Sequence, residues 1–202
     1  MRFEPISSFR KFCNKNKHRR IAALDVGRVS IGIAIDDLNN IKFNKMHMNK
    51  YIAPSINSLI HGTTLKRKYP SQSKESLINC SQKLNKLFNE YSVGSIIVGL
   101  PIPTAHHQGT KMCDEIIDFM QDMSKYSQLE HENNAEYQKN LLENKEDNDI
   151  IFTFWDEAYT SERAHTLIHS SKPSAHERLN HIAAASLIMQ DFIDNMNRRG
   201  YK

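Results

Sequence analysis

The sequence predicts a mixed α/β domain, and three observations carry that expectation. Two short apolar runs, Ile21 to Val26 and Val29 to Asp36, flank a Gly-containing turn. Two later runs, Ser95 to Val98 and Ile150 to Trp155, have the length and apolar character of buried strands. Between and after them the apolar residues recur every three or four positions, the period of a helix. A strand meander followed by βα units implies a mixed five-stranded sheet with helices on both faces, in the order βββαβαβαα.

Taken in order, VSIGIAID places Gly32 and Ala34 on one face and Ile31, Ile33 and Ile35 on the other. That pattern predicts a β-hairpin with one face closely covered. Ile41 to Met48 alternates well enough for a third, edge-like strand. Over Ser71 to Tyr91 the positions Leu77, Cys80, Leu84, Leu87, Phe88 and Tyr91 mark a helix, which Gly94 ends. The strand SIIV then runs into Gly99-Leu100-Pro101. Met112, Ile116, Phe119, Met120 and Met123 mark a second helix, and IIFTFW the last strand. Thr160 is placed to cap a short helix carrying Ala164, Leu167 and Ile168. Ser174-x-x-Glu177 reads as a capping box for the final helix, with the stripe Leu179, Ile182, Ala183, Ser186, Leu187, Gln190 and Ile193. Right-handed crossovers would set the two later strands parallel to the first, on the side away from the hairpin.

The 202 residues suit one domain and can bury a sizeable core. No apolar run approaches the roughly 20 residues of a helical membrane span, so no membrane partner is expected. Cys13, Cys80 and Cys113, odd in number and widely spaced, form neither a disulfide framework nor a metal knuckle, and a reducing compartment fits them. The net charge of +4 is unevenly spread. Met1 to Arg20 holds seven basic residues against Glu4 alone, a net +6, and 124–149 holds three Lys against seven carboxylates, a net −4. Residues 1–19 therefore read as a basic flexible arm or a targeting leader, and 20–197 as one domain with an acidic low-complexity insertion over 124–149. The compartment follows: cytoplasmic with a tail, an organelle with a leader.

Ligands in such sheets bind at the C-terminal ends of the parallel strands. Asp25 ends the first strand, Asp156 and Glu157 end the last, and the final helix opens with Glu177, Asn180 and His181. Acidic residues after strands ordinarily cap helices or meet solvent, but three groups at one sheet end suit a hard, oxygen-loving ion such as Mg²⁺ or Mn²⁺. Two such ions could stabilise both the attacking and the leaving oxygen of a phosphodiester.

Four segments, LDVGRVSIGIAIDD (Leu24–Asp37), IIVGLPIPTAHHQG (Ile96–Gly109), WDEAYTSERA (Trp155–Ala164) and LNHIAAASLIMQDFID (Leu179–Asp194), occur in order. Together they resemble the YqgF family, also called RuvX, the Holliday junction resolvases and pre-16S rRNA nucleases with an RNase H-like fold. The resemblance implies a metal-dependent nuclease acting on structured nucleic acid: the 5′ end of small-subunit precursor rRNA, with branched DNA second. It also admits ribosomal particles as partners, and a monomer or homodimer.

By position, Asp25 and Glu157 would be catalytic and hold the metal. The third carboxylate position holds Asn180, with Glu177 or His181 as possible substitutes. A neutral amide would hold a second ion more weakly, which leaves a catalytically weakened nucleic-acid-binding or ribosome-associated homologue as the alternative. Ala158 stands where the family has Arg, and Val29-Ser30 where it has a basic pair, with Arg28 just before. Arg28, Gly99, Leu100, Pro101 and Gly109 would bind substrate. His106 and His107 either touch a phosphate or are exposed loop residues, and Lys66-Arg67-Lys68 either meets nucleic acid or is solvated. His165 and His169 have metal-ligand spacing without an evident third ligand, and Trp155 reads as core. A kinase or phosphatase of the actin-like superfamily shares a DxG strand, but its further phosphate-binding Gly loops are not visible.

Overall fold

The computed structural model describes residues 1–16, 19–37, 61–66, 74–102, 110–132, 150–157 and 173–198. Their elements are β1 (Arg2–Phe3), α1 (Ile6–Lys15), β2 (Arg20–Val26), β3 (Ser30–Asp37), β4 (His61–Lys66), α2 (Lys74–Glu90), β5 (Val93–Leu100), α3 (Lys111–Glu132), β6 (Ile151–Asp156) and α4 (Pro173–Arg198). One sheet holds six strands in the order β1-β6-β5-β2-β3-β4. β3 is antiparallel to β2 and β4, while β5 lies parallel to β2, β6 to β5 and β1 to β6. Leaving β1 aside, this is the RNase H-like arrangement expected: a meander, then two parallel strands beyond its first strand.

Alternation along the strands divides the core. Leu24, Ile31, Ile33, Ile35, Ile96 and Val98 pack with Leu84 and Phe88 of α2 and with Ile116 and Met120 of α3. On the opposite face Ile21, Ala23, Ala34 and Ile97 meet Phe9 of α1 and Ile188 and Phe192 of α4. A Cβ at Gly32 would overlap the backbone carbonyl of His181, so α4 crosses the hairpin at backbone contact distance. α4 starts at Pro173, a residue suited to a first helical position. From Ile182 to Met189 it is buried on all sides, more broadly than a single stripe predicts. None of the described helices is long and apolar enough to cross a membrane.

The N-terminal segment departs most from expectation. Instead of a flexible arm, β1 pairs with β6 (Arg2↔Ile151, Phe3↔Phe152), and the backbone N–H of Glu4 donates to the Phe152 carbonyl at 2.8 Å. α1 buries Phe9 and Cys13 and leaves Lys11 and Lys15 exposed. The Phe9 ring lies edge-on to Phe192 at 5.6 Å, and Trp155, expected in the core and found partly buried against it, lies edge-on to the same ring at 5.2 Å. Burial of a Phe contributes about 2–3 kcal/mol, enough to hold a charged helix against the sheet.

The third strand of the meander is β4, in register from Ser30↔Lys66 to Ile35↔His61. Ile41–Met48, the stretch expected to supply it, lies outside the described residues. α3 runs nine residues into the stretch expected as an insertion, with Tyr126 packed against the core, and 133–149 lies outside the described residues. Gly94 belongs to β5, since that strand starts at Val93. The turn from α2 is made at Ser92, whose φ of 52° is left-handed. The three cysteines are buried and in no disulfide, and burial pushes the Cys13 thiol up to about 12.

Candidate active site

Asp25 is the sixth residue of β2 and pairs with Gly32. It shares the α4 face with Ile21 and Ala23 because strand side chains alternate. There Nδ1 of His181 lies 2.7 Å from Oδ2 of Asp25, a geometry in which the ring N–H donates to the carboxylate. The close passage of α4 over Gly32 is what brings His181 to this point.

Glu157 reaches the same face from the other side. Leu100 pairs with Asp156 across β5 and β6, and the backbone N–H of Glu157 donates to the Leu100 carbonyl at 2.9 Å. Its carboxyl group then folds over Gly99, where an added Cβ would overlap Glu157 Oε2 and Ile188 Cδ1. The Gly of Gly99-Leu100-Pro101 thus serves to make room for this side chain. Asp25 and Glu157 are only 6% and 8% exposed. Burial pushes the Glu157 carboxyl up to about 8, and the charges of Asp25 and then Asp156 add to the rise. It therefore holds a proton at neutral pH.

Asn180 is half-buried beside His181 on α4. Glu177 is in the same helix, and its side chain lies outside the described residues. The structure thus joins Asp25 to His181 directly, and sets Glu157 close enough to Asp25 for their charges to couple. Among the described residues no three of His, Cys, Asp and Glu gather in a way that could hold a metal ion.

Arg28 lies in the turn closed by the Gly27 N–H bond to the Ser30 carbonyl at 3.0 Å. Its guanidinium makes two bonds to Glu115 of α3, Nε to Oε2 at 3.1 Å and Nη2 to Oε1 at 3.2 Å. Glu115 is 4% exposed and the Arg28 side chain 56%. The pair ties the loop after Asp25 to α3. Glu115 has a sequence signal after all: it is a carboxylate three residues after Met112 and next to Ile116, on the apolar face of its helix.

Leu100 ends β5 buried, and the carbonyl of Pro101 accepts a bond from Cys113 Sγ at 3.4 Å. Lys66 is exposed at the same end of the sheet, opposite Ser30. Because Leu65 packs into the α2–α3 core, Lys66 is on the α4 face, as Asp25 is. Arg67, Lys68, His106, His107, Gly109, Ala158, the helix expected after Thr160, His165 and His169 lie outside the described residues.

Comparison with known proteins supports the family that the motifs resemble. The model of the RuvX family, described as Holliday junction resolvase, matches residues 61–195. A protein of Thermoanaerobacter pseudethanolicus named "Putative pre-16S rRNA nuclease" is 30% identical over 186 residues, which is 89% of this chain and 99% of that protein. Among solved structures, Thermus thermophilus RuvC in complex with a Holliday junction substrate gives a TM-score of 0.44 at 13% identity, covering 90% of this chain and 96% of that one. The yeast mitochondrial Holliday junction resolvase Ydc2 gives 0.43 at 9% identity, covering 95% and 93%. Neither structural likeness assigns a role to a residue here. The family match over most of the chain and the 30% identity along nearly the whole of a relative show that this chain belongs to the RuvX Holliday junction resolvase family.

Proposed function

We propose that this chain is a divalent-metal-dependent nuclease that hydrolyses phosphodiester bonds at the 5′ end of small-subunit precursor rRNA. The observation that carries the proposal is the meeting of Asp25 and Glu157 beneath α4, where burial, reinforced by the charge of Asp25, holds Glu157 protonated. Crowded, buried carboxylates are a donor set that suits a hard cation. Mg²⁺ typically takes one or two carboxylates and completes its shell with water and substrate phosphate, so Asp25 and Glu157 are a sufficient protein contribution. When bound, the ion would supply an activated water and neutralise charge on the phosphate.

The chain's own residues do the rest. Glu157 would have to give up its proton to serve as a ligand, so ion binding would be pH-dependent. His181 holds the Asp25 carboxylate in one orientation through the 2.7 Å contact. Asn180, as an amide, offers a neutral oxygen from the next position on α4. Arg28 anchors a backbone phosphate, and the relative named for pre-16S rRNA supports ribosomal particles as the setting.

The test is cleavage of precursor rRNA and of four-way DNA junctions with Mg²⁺ or Mn²⁺, comparing the parent with Asp25→Asn and Glu157→Gln. Each substitution is expected to lower the rate at least 100-fold, a loss of about 3 kcal/mol of barrier stabilisation. Equal rates in parent and variants overturn the assignment, and cleavage of the junction alone moves the substrate to branched DNA. The amide at Asn180 favours a second reading, a weakened homologue that binds nucleic acid without turning it over. Asn180→Asp separates the two: a large gain in rate or Mn²⁺ affinity marks a degenerate site, and a loss shows the amide in use.

A further inference from the structure

Glu115 lies at the other side of the sheet end, under the α3 face. It is almost fully buried, yet it places both oxygens on a guanidinium that is more than half exposed. A buried carboxylate carries a desolvation penalty that pairing offsets, and a paired residue of this kind is retained for stability or for placement. Placement fits the geometry better. Arg28 sits two residues beyond Val26, in the tight turn that follows Asp25, and Glu115 grips the Nε and Nη2 side of the fork. A guanidinium presents five N–H donors in a rigid plane, so gripping one side fixes the direction of the others.

The grip comes from the helix that follows β5, whose Gly99 cradles Glu157. One ion pair therefore ties the loop after one carboxylate to the helix after the strand that seats the other.

We infer that Glu115 is a positioning residue, which fixes Arg28 as a fork for a backbone phosphate of the substrate strand at the α3 side of the site. The inference rests on the nuclease reading, and it concerns binding rather than hydrolysis. A mere neutralising pair predicts the opposite behaviour, because removing the negative charge would free Arg28 for phosphate and tighten binding. A positioning pair loses affinity when Glu115 is replaced, although the protein becomes more positive.

The experiment measures affinity for the rRNA fragment and the junction by fluorescence anisotropy in Ca²⁺ or chelator, from 50 to 300 mM salt. The proteins are the parent, Glu115→Gln, Arg28→Lys, Arg28→Ala and the double variant Arg28→Ala/Glu115→Gln. Positioning predicts that Glu115→Gln and Arg28→Lys each raise Kd roughly five- to tenfold, the scale of one charge-assisted bond. It also predicts that the salt slope of Arg28→Ala falls by about 0.7–0.9, one phosphate contact, and that the double variant is no weaker than Arg28→Ala.

Thermal melts keep folding apart from placement, and the Arg28 Nε–H resonance supplies a second measurement. In the parent that proton should exchange slowly and shift when the RNA is added, and in Glu115→Gln it should do neither. Tighter or unchanged binding by folded Glu115→Gln overturns the inference and leaves the nuclease reading intact. Absence of binding by the parent to either nucleic acid overturns both.

Discussion

Glu157→Gln is the perturbation that reads the site most directly. The native carboxyl titrates near 8 against an ordinary value of 4.5. Between those pH values the folded chain keeps a proton that the unfolded chain has released. The folded state then binds more protons, so stability falls as pH rises through the window. At about 1.4 kcal/mol per pH unit, the full displacement from 4.5 to about 8 amounts to roughly 5 kcal/mol at most. Gln keeps the shape and removes the titration, so the variant should match the parent at pH 5 and exceed it by at least about 2 kcal/mol at pH 8.

Urea unfolding in chelator at pH 5, 6.5 and 8 measures this. Added Mn²⁺ should restore the parent at pH 8 by mass action and leave the variant unmoved. A parent whose stability is flat or rising from pH 5 to 8, with a variant no more stable than it, would refute the account of crowded carboxylates.

Gly99→Ala should displace the Glu157 carboxyl, lower stability by about 1–3 kcal/mol and reduce cleavage well beyond that loss of folded protein, as single-turnover assays will show. Phe9→Ala should destabilise the fold by about 3–5 kcal/mol in chemical denaturation, whereas neutralising Lys11 or Lys15 should change it by less than about 0.5 kcal/mol. Lys66→Ala should leave stability unchanged and reduce the salt slope of nucleic-acid binding by about 0.7–0.9, as expected for a phosphate contact on the face that carries Asp25.

What was legible from the sequence was what local periodicity encodes. Gly32 and Ala34 against Ile31, Ile33 and Ile35 is a two-residue alternation, and the two core clusters divide along it. The placement of Asp25 and Glu157 at one end of the sheet was legible because each closes an apolar strand run. The N-terminal segment was misread because net charge averages over a helix whose Ile6, Phe9 and Cys13 already lie along one side. β4 escaped notice because HGTTLK, at one edge of the described sheet, contains a single large apolar residue, Leu65. The contact of His181 with Asp25 and the grip of Glu115 on Arg28 join residues 156 and 87 positions apart, and no spacing rule reaches that far.

β1 has a consequence for the order in which the molecule loosens. It pairs with β6 through only two residues, plus the Glu4 amide, and Ser124 donates a hydroxyl bond to the Met1 carbonyl just above it. A ladder so short opens at little free energy, while β2 and β5 in the middle of the sheet should exchange their amide hydrogens only on global unfolding. The first subglobal opening should therefore peel Arg2–Phe3 from Ile151–Phe152 and bare the strand that leads to Glu157. Amide exchange of β6 would then report the docking of the first fifteen residues, and a protease that nicks the peeled segment would slacken the carboxylate site without touching it.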